Sequence, residues 1–120
     1  MENQGYKNLL VWQKSIILVK NLYQLTSTFP KDEIYGLTSQ MRRAGISVPS
    51  NIAEGYGRYS KKELCRFIKI SLGSSAELET QAIISQELGY INNEQLQNIL
   101  DQINEVQKML TGLMNSSSQN

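Results

Sequence analysis

Apolar residues recur at spacings of three and four through four successive stretches of this 120-residue chain, and only Pro30 and Pro49 interrupt them. That period is the signature of amphipathic helices. Alternating β-branched runs are scarce, so strands have little to build on and the chain reads as all-α. The first stretch runs from about Asn8 to Thr26. It carries Leu9, Trp12, Ile16, Val19 and Tyr23 on one side and Val11, Leu18, Leu22 and Leu25 on another, more apolar surface than one antiparallel neighbour would bury. The second begins near Asp32 and Glu33, whose charges suit a helix N-terminus, and runs towards Glu54 with Leu37, Met41, Ala44, Val48 and Ile52 inward. Pro49 should kink it or split it after Val48, and Gly55 and Gly57 supply left-handed positions to end it.

The third stretch opens on Ser60-Lys61-Lys62-Glu63, with the spacing of a capping box, and runs to about Leu88 before Gly89. In its middle, Ser71 to Ala76 are small apart from Leu72, which permits a close helix approach, and tight packing is expected to offset the propensity cost of Gly73. The fourth starts at Asn92 or Asn93 and carries Leu96, Ile99, Ile103, Val106, Leu110 and Leu113 at spacings 3, 4, 3, 4, 3, a heptad seam. Short connections between four such helices imply an up-down-up-down antiparallel four-helix bundle. Residues 1–114 are read as one domain, and residues 115–120, all Ser, Asn or Gln, as a disordered tail.

The chain has no histidine and a single cysteine, Cys65. This removes the usual general acid/base, the Cys/His nucleophile pairs and nearly every zinc site, so no enzyme activity, metal or cofactor is expected. Glu77, Glu79 and Glu87 lack the histidines of a bundle-borne dimetal site, and Cys65, among Leu64 and Phe67, reads as a packed small side chain. Gly55-x-Gly57 follows no strand and lacks the third glycine of a phosphate loop, so it reads as a helix-helix turn. No basic segment followed by an apolar one opens the sequence, and no run approaches 18 apolar residues, which leaves a cytoplasmic protein without a membrane partner as the expectation.

Net charge is +1, yet residues 1–41, 42–69 and 77–108 carry +1, +5 and −5. Arg58, Lys62, Arg66 and Lys69, spaced 4, 4, 3, lie along one helix face and repel one another. They also sit at the positive end of the helix macrodipole, while Glu87 sits at the negative end, so the arrangement opposes local stability. An external anion would account for it. Arg42, Arg43 and Lys61 extend the candidate nucleic-acid-binding patch, and Tyr56 and Tyr59 are placed to stack on bases of RNA or DNA. The alternative is a charged face that meets solvent, or the acidic block of a neighbouring subunit, in a structural adaptor whose ligand is another protein. Surplus apolar surface on the first helix, with the polar stripe Gln40, Arg43, Ser47, Asn51 and Glu54 on the second, points to a homo-oligomer.

Leu10-Val11-Trp12-Gln13-Lys14, Phe29-Pro30, Tyr35-Gly36-Leu37, Gln40 to Ala44, Val48 to Gly55 and Gly73 to Gln81 resemble, in order and spacing, the successive signatures of the four-helix-bundle proteins of the 23S rRNA intervening-sequence family. The resemblance spans about Tyr6 to Leu113. It implies a bacterial four-helix bundle, assembled as a ring-like homopentamer and without catalytic activity.

Overall fold

The computed structural model describes residues 5–118, and among these there is no strand. Four helices, α1 (Leu10–Thr26), α2 (Leu37–Tyr56), α3 (Lys61–Glu87) and α4 (Asn93–Ser118), are accompanied by single 3₁₀ turns at Gly5–Asn8 and Lys31–Glu33. Cross-helix contacts fix their directions. Thr26 meets Arg42 while Leu22 meets Gly45, Met41 meets Ser85 while Ser47 meets Ser74, and Cys65 meets Met114 while Ser75 meets Gln107. Each helix is therefore antiparallel to the next. Lys14 and Asn21 of α1 reach Glu105 and Gln102 of α4, closing the ring of four, and the backbones of the diagonal helices α1 and α3 stay more than 8 Å apart between Cα atoms.

Local chemistry sets the helix ends. The Ser60 hydroxyl accepts the Glu63 N–H (3.3 Å), but the Glu63 carboxylate turns to Arg66 instead of reaching back, so only half of the expected capping box forms. The reciprocal box lies at α4, where Asn92 Oδ1 accepts the Gln95 N–H and Gln95 Oε1 accepts the Asn92 N–H, both at 2.8 Å. α3 ends in a Schellman turn: Gly89 takes φ +81°, its N–H reaches Gln86 O, and the Tyr90 N–H reaches Ser85 O. α4 continues through residues 115–118, which had been expected as a tail, because Leu113 and Met114 pack on the core and give the last turns a base to propagate from; residues 119–120 lie outside the described residues.

α2 departs from its expected outline. It begins at Leu37, after the Asp32-Glu33 turn, and passes Pro49 without splitting. A proline inside a helix costs about 3 kcal/mol, whereas burying Val48 and Ile52 on either side of it returns about 1.5–3 kcal/mol each, so packing wins. Neither Gly55 nor Gly57 is left-handed: Gly55 is the penultimate helical residue, Gly57 has φ −71°, and Tyr59 (φ +55°) makes the left-handed bend.

Leu18, Leu22, Met41, Ile68, Leu78 and Ile103 are among the fully enclosed side chains of the single core. α4 buries the middle of its heptad seam, Ile99, Ile103, Val106 and Leu110, as expected. On α1 the core takes Val11, Leu18 and Leu22, whereas Ile16 and Tyr23 of the other stripe stay exposed. α2 and α3 approach closest. The buried Ser71 hydroxyl donates to Val48 O (2.9 Å), Ser47 and Ser74 share a hydrogen bond (2.8 Å), and a Cβ on Gly55 would stand 2.9 Å from Phe67 Cβ. Gly73 behaves otherwise: it faces outward with nothing near its missing Cβ, so no packing within the chain offsets its cost. Glu33 ties the far end together. One carboxylate oxygen accepts the Leu37 N–H (3.0 Å) and the other the Tyr90 hydroxyl (2.8 Å), joining the start of α2 to the α3–α4 turn.

Two measurements follow from these contacts. In the single chain Gly73→Ala should raise stability by about 1 kcal/mol through propensity alone, while Gly55→Ala should lower it by about 1–3 kcal/mol because Phe67 Cβ is fixed to its backbone; urea melts of both variants at a dilution where the chain is single check the opposite signs. The Leu37 N–H, then the Tyr90 hydroxyl, hold the Glu33 carboxyl below the usual carboxylate range. A group lowered on folding contributes stability that is fully present above its unfolded value and is lost as pH falls through the folded one. Thermal melts between neutral pH and pH ~3 should therefore show an acid-side loss that is shallower in Tyr90→Phe and shallower still in Glu33→Gln.

Candidate nucleic-acid interface

The α2–α3 turn, residues 57–60, and the first turns of α3 form one end of the bundle. The left-handed bend at Tyr59 turns the chain into α3, and the helical period then brings Lys62, Arg66 and Lys69 onto its outer side below Arg58. Phe67 anchors the two arginines: their guanidinium carbons stand 5.3 Å (Arg58) and 4.4 Å (Arg66) from its ring centroid. Each is also paired with an acid. Arg58 meets Glu54 at 2.8 Å, one turn back on α2, and Arg66 meets Glu63 at 3.0 Å. The Arg66 hydrogen bonds hold the Glu63 carboxyl below its usual range, the Arg66, Arg58 and Lys62 charges acting in the same direction and its partial burial against it. In turn Glu63 raises the Arg66 guanidinium. The Glu54 pair is a local i,i+4 contact across the end of α2.

Lys61, Lys62 and Lys69 are exposed and make no ion pair among the described residues. They carry the uncompensated charge of this end. Beside Lys61 lies a hollow of about 290 Å³ lined by Gly55, Tyr56, Tyr59, Ser60 and Leu64, with Gly5 from the N-terminal turn. Tyr59 is 81% exposed at its edge. The two tyrosines expected to stack thus border one cavity next to a free cation, an arrangement suited to an unstacked base whose phosphate meets a lysine. Spacing along the chain could not reveal Gly5 as part of it, since it reaches the hollow only through the tertiary fold.

Arg42 and Arg43 lie elsewhere. They are 15 or more residues up α2 from Arg58, roughly 23 Å at 1.5 Å per residue. Arg42 turns towards α1, donating from Nε to Thr26 Oγ1 (3.0 Å) with its guanidinium carbon 4.3 Å from the Tyr23 ring centroid. Arg43 borders a polar groove of about 510 Å³ between α2 and α3 with Gln40, Ser47, Ser74 and Glu77. Glu79 accepts from Gln107 (3.3 Å), and no cluster of three acidic or cysteine side chains that could hold a metal ion occurs among the described residues. Half-buried Cys65 donates weakly to Met114 O (3.8 Å), placing it against α4. None of the described helices is long and apolar enough to cross a membrane.

Residues 7–112 match the family described as 23S rRNA-intervening sequence protein. Among solved structures, the chain is similar to a Bacteroides thetaiotaomicron protein of unknown function from the S23 ribosomal protein family, with 24% identity and a TM-score of 0.76 over 88% of this chain and 98% of that one. At that identity the likeness concerns the fold. No match was found among the curated proteins.

Proposed function

The chain belongs to the 23S rRNA-intervening sequence protein family, and from that premise we propose that it is a non-catalytic homo-oligomer that holds RNA or DNA at the α2–α3 end of each bundle. The observation that carries this reading is the trio Lys61, Lys62 and Lys69, exposed without acidic partners among the described residues, the first two in the opening turn of α3, where the macrodipole already disfavours positive charge. An anion at this end relieves both penalties. Arg58 and Arg66, held over Phe67, frame the site, and the Tyr56–Tyr59 hollow takes a base. Repetition of the end on every copy, five in the ring that the family resemblance implies, converts weak contacts into useful avidity. With neither histidine nor a cysteine pair, the proposed role is binding in the cytoplasm rather than chemistry.

A protein–protein adaptor is the second reading, favoured by the pairing of Arg58 and Arg66 with Glu54 and Glu63, which leaves less free charge than the sequence count suggests. Titration of single-stranded and double-stranded RNA and DNA at several salt concentrations separates the two. Three lysine–phosphate contacts should give a log-log salt slope of about −2 to −3 per bound chain. Lys62→Glu/Lys69→Glu, which breaks no ion pair within the chain, should abolish binding while helix content stays the same. Absence of salt-dependent binding by the wild type would remove the nucleic-acid reading and leave the adaptor.

A further inference from the structure

Helix α3 presents an outer face on which Ile70, Gly73, Glu77, Thr80, Ile84 and Glu87 follow one another at spacings 3, 4, 3, 4, 3. This is a second helix-packing register, on the side away from the core. Ile70 and Ile84 are exposed, and Gly73 between them has no atom near its missing Cβ. Glu77 and Glu87 make no ion pair among the described residues. The diagonal helix α1 shows the opposite chemistry. It contains no acid, and Lys20, exposed and unpaired among the described residues, is flanked by the exposed Ile16, Ile17 and Tyr23 one turn to either side.

We infer that the outer face of α1 in one copy of this chain seats on the outer face of α3 in the next, with Lys20 against Glu77 and the backbone at Gly73 admitting the neighbouring helix. The inference rests on the assembly reading above and assigns its contact surfaces. Three features of the two faces support it. From Gly73 to Glu87 their charges are complementary, Lys20 on α1 against Glu77 and Glu87 on α3, the cations Arg66 and Lys69 of the same α3 flank lying N-terminal to this stretch. Placing Lys20 at Glu77 brings the α1 side chains three and four residues away over the Gly73 and Thr80 positions, whichever way the helices run. An exposed glycine in mid-helix costs stability for no return within the chain, and a close helix-helix contact supplies that return.

Light scattering at micromolar concentration, combined with thermal melts, tests this. Gly73→Leu replaces a poor helix former by a good one at an open position, so the isolated chain should melt at an equal or higher temperature while the assembly falls to the single-chain mass of 13.6 kDa. Lys20→Glu and Glu77→Lys should each dissociate the assembly, and the double variant should restore it. If the wild type is an oligomer and Gly73→Leu keeps its mass, the surfaces are wrong while the assembly reading stands. Dissociation by both charge reversals without rescue in the double variant overturns the pairing of the two faces. A monomeric wild type removes the assembly reading, and this inference falls with it.

Discussion

The close approach of α2 and α3 is the constraint on which the rest of the molecule depends. Gly55 lets the Phe67 Cβ in, Ser71 donates across to the Val48 carbonyl, and Ser47 and Ser74 bond where larger side chains would hold the helices apart. Because the contact runs from Gly55 at one end to Met41 and Ser85 at the other, it holds α2 helical past Pro49. An α2 broken at Pro49 would take Gly55 away from Phe67. The basic end of the bundle is thus a product of tertiary packing as much as of charged residues in sequence.

At that end electrostatics and packing oppose each other. The α3 N-terminus carries Lys61 and Lys62, where carboxylates would be favoured, and the macrodipole penalty is of the order of 0.3–1 kcal/mol per charge at an exposed site. Surface ion pairs such as Arg58–Glu54 recover little. Phe67 adds a contact of similar size to each arginine, its ring centroid standing 5.3 Å from the Arg58 and 4.4 Å from the Arg66 guanidinium carbon. The lysines are left free, and free lysines can trade one partner for another.

How much of this was legible follows from the range of each interaction. The α4 seam and the α2 stripe from Met41 to Ile52 are one-dimensional patterns, and the core buries them as the sequence reads. The Schellman end at Gly89 and the cap at Asn92 are equally local. By contrast α1 offers two apolar stripes, and only the position of α2 and α4 decides that Leu18 and Leu22 go inward while Ile16 and Tyr23 stay out. The left-handed bend at Tyr59 was hidden behind two nearby glycines, one of them kept small by Phe67 and not by its dihedral angles. Of the candidate basic residues, the cluster from Arg58 to Lys69 shares a helix end, but Arg42 is spent on Thr26 and Tyr23, a contact 16 residues apart that no periodicity contains.

The same distinction bears on assembly geometry. α1 and α3 are diagonal in the bundle, so their outer faces look away from each other. A two-fold dimer joins one patch to its own copy, whereas a cationic apolar face and an anionic one on opposite sides join head to tail. Such contacts close into a ring when the rotation between successive copies divides the circle and otherwise run on as a filament. The charged ends, at the α2–α3 turn and the first turns of α3, continue the α3 flank, with Lys62 15 residues, about 22 Å at 1.5 Å per residue, along the helix from Glu77. Joining the copies along the helix flanks would therefore array the lysine ends on one rim, where a single extended strand can reach several of them.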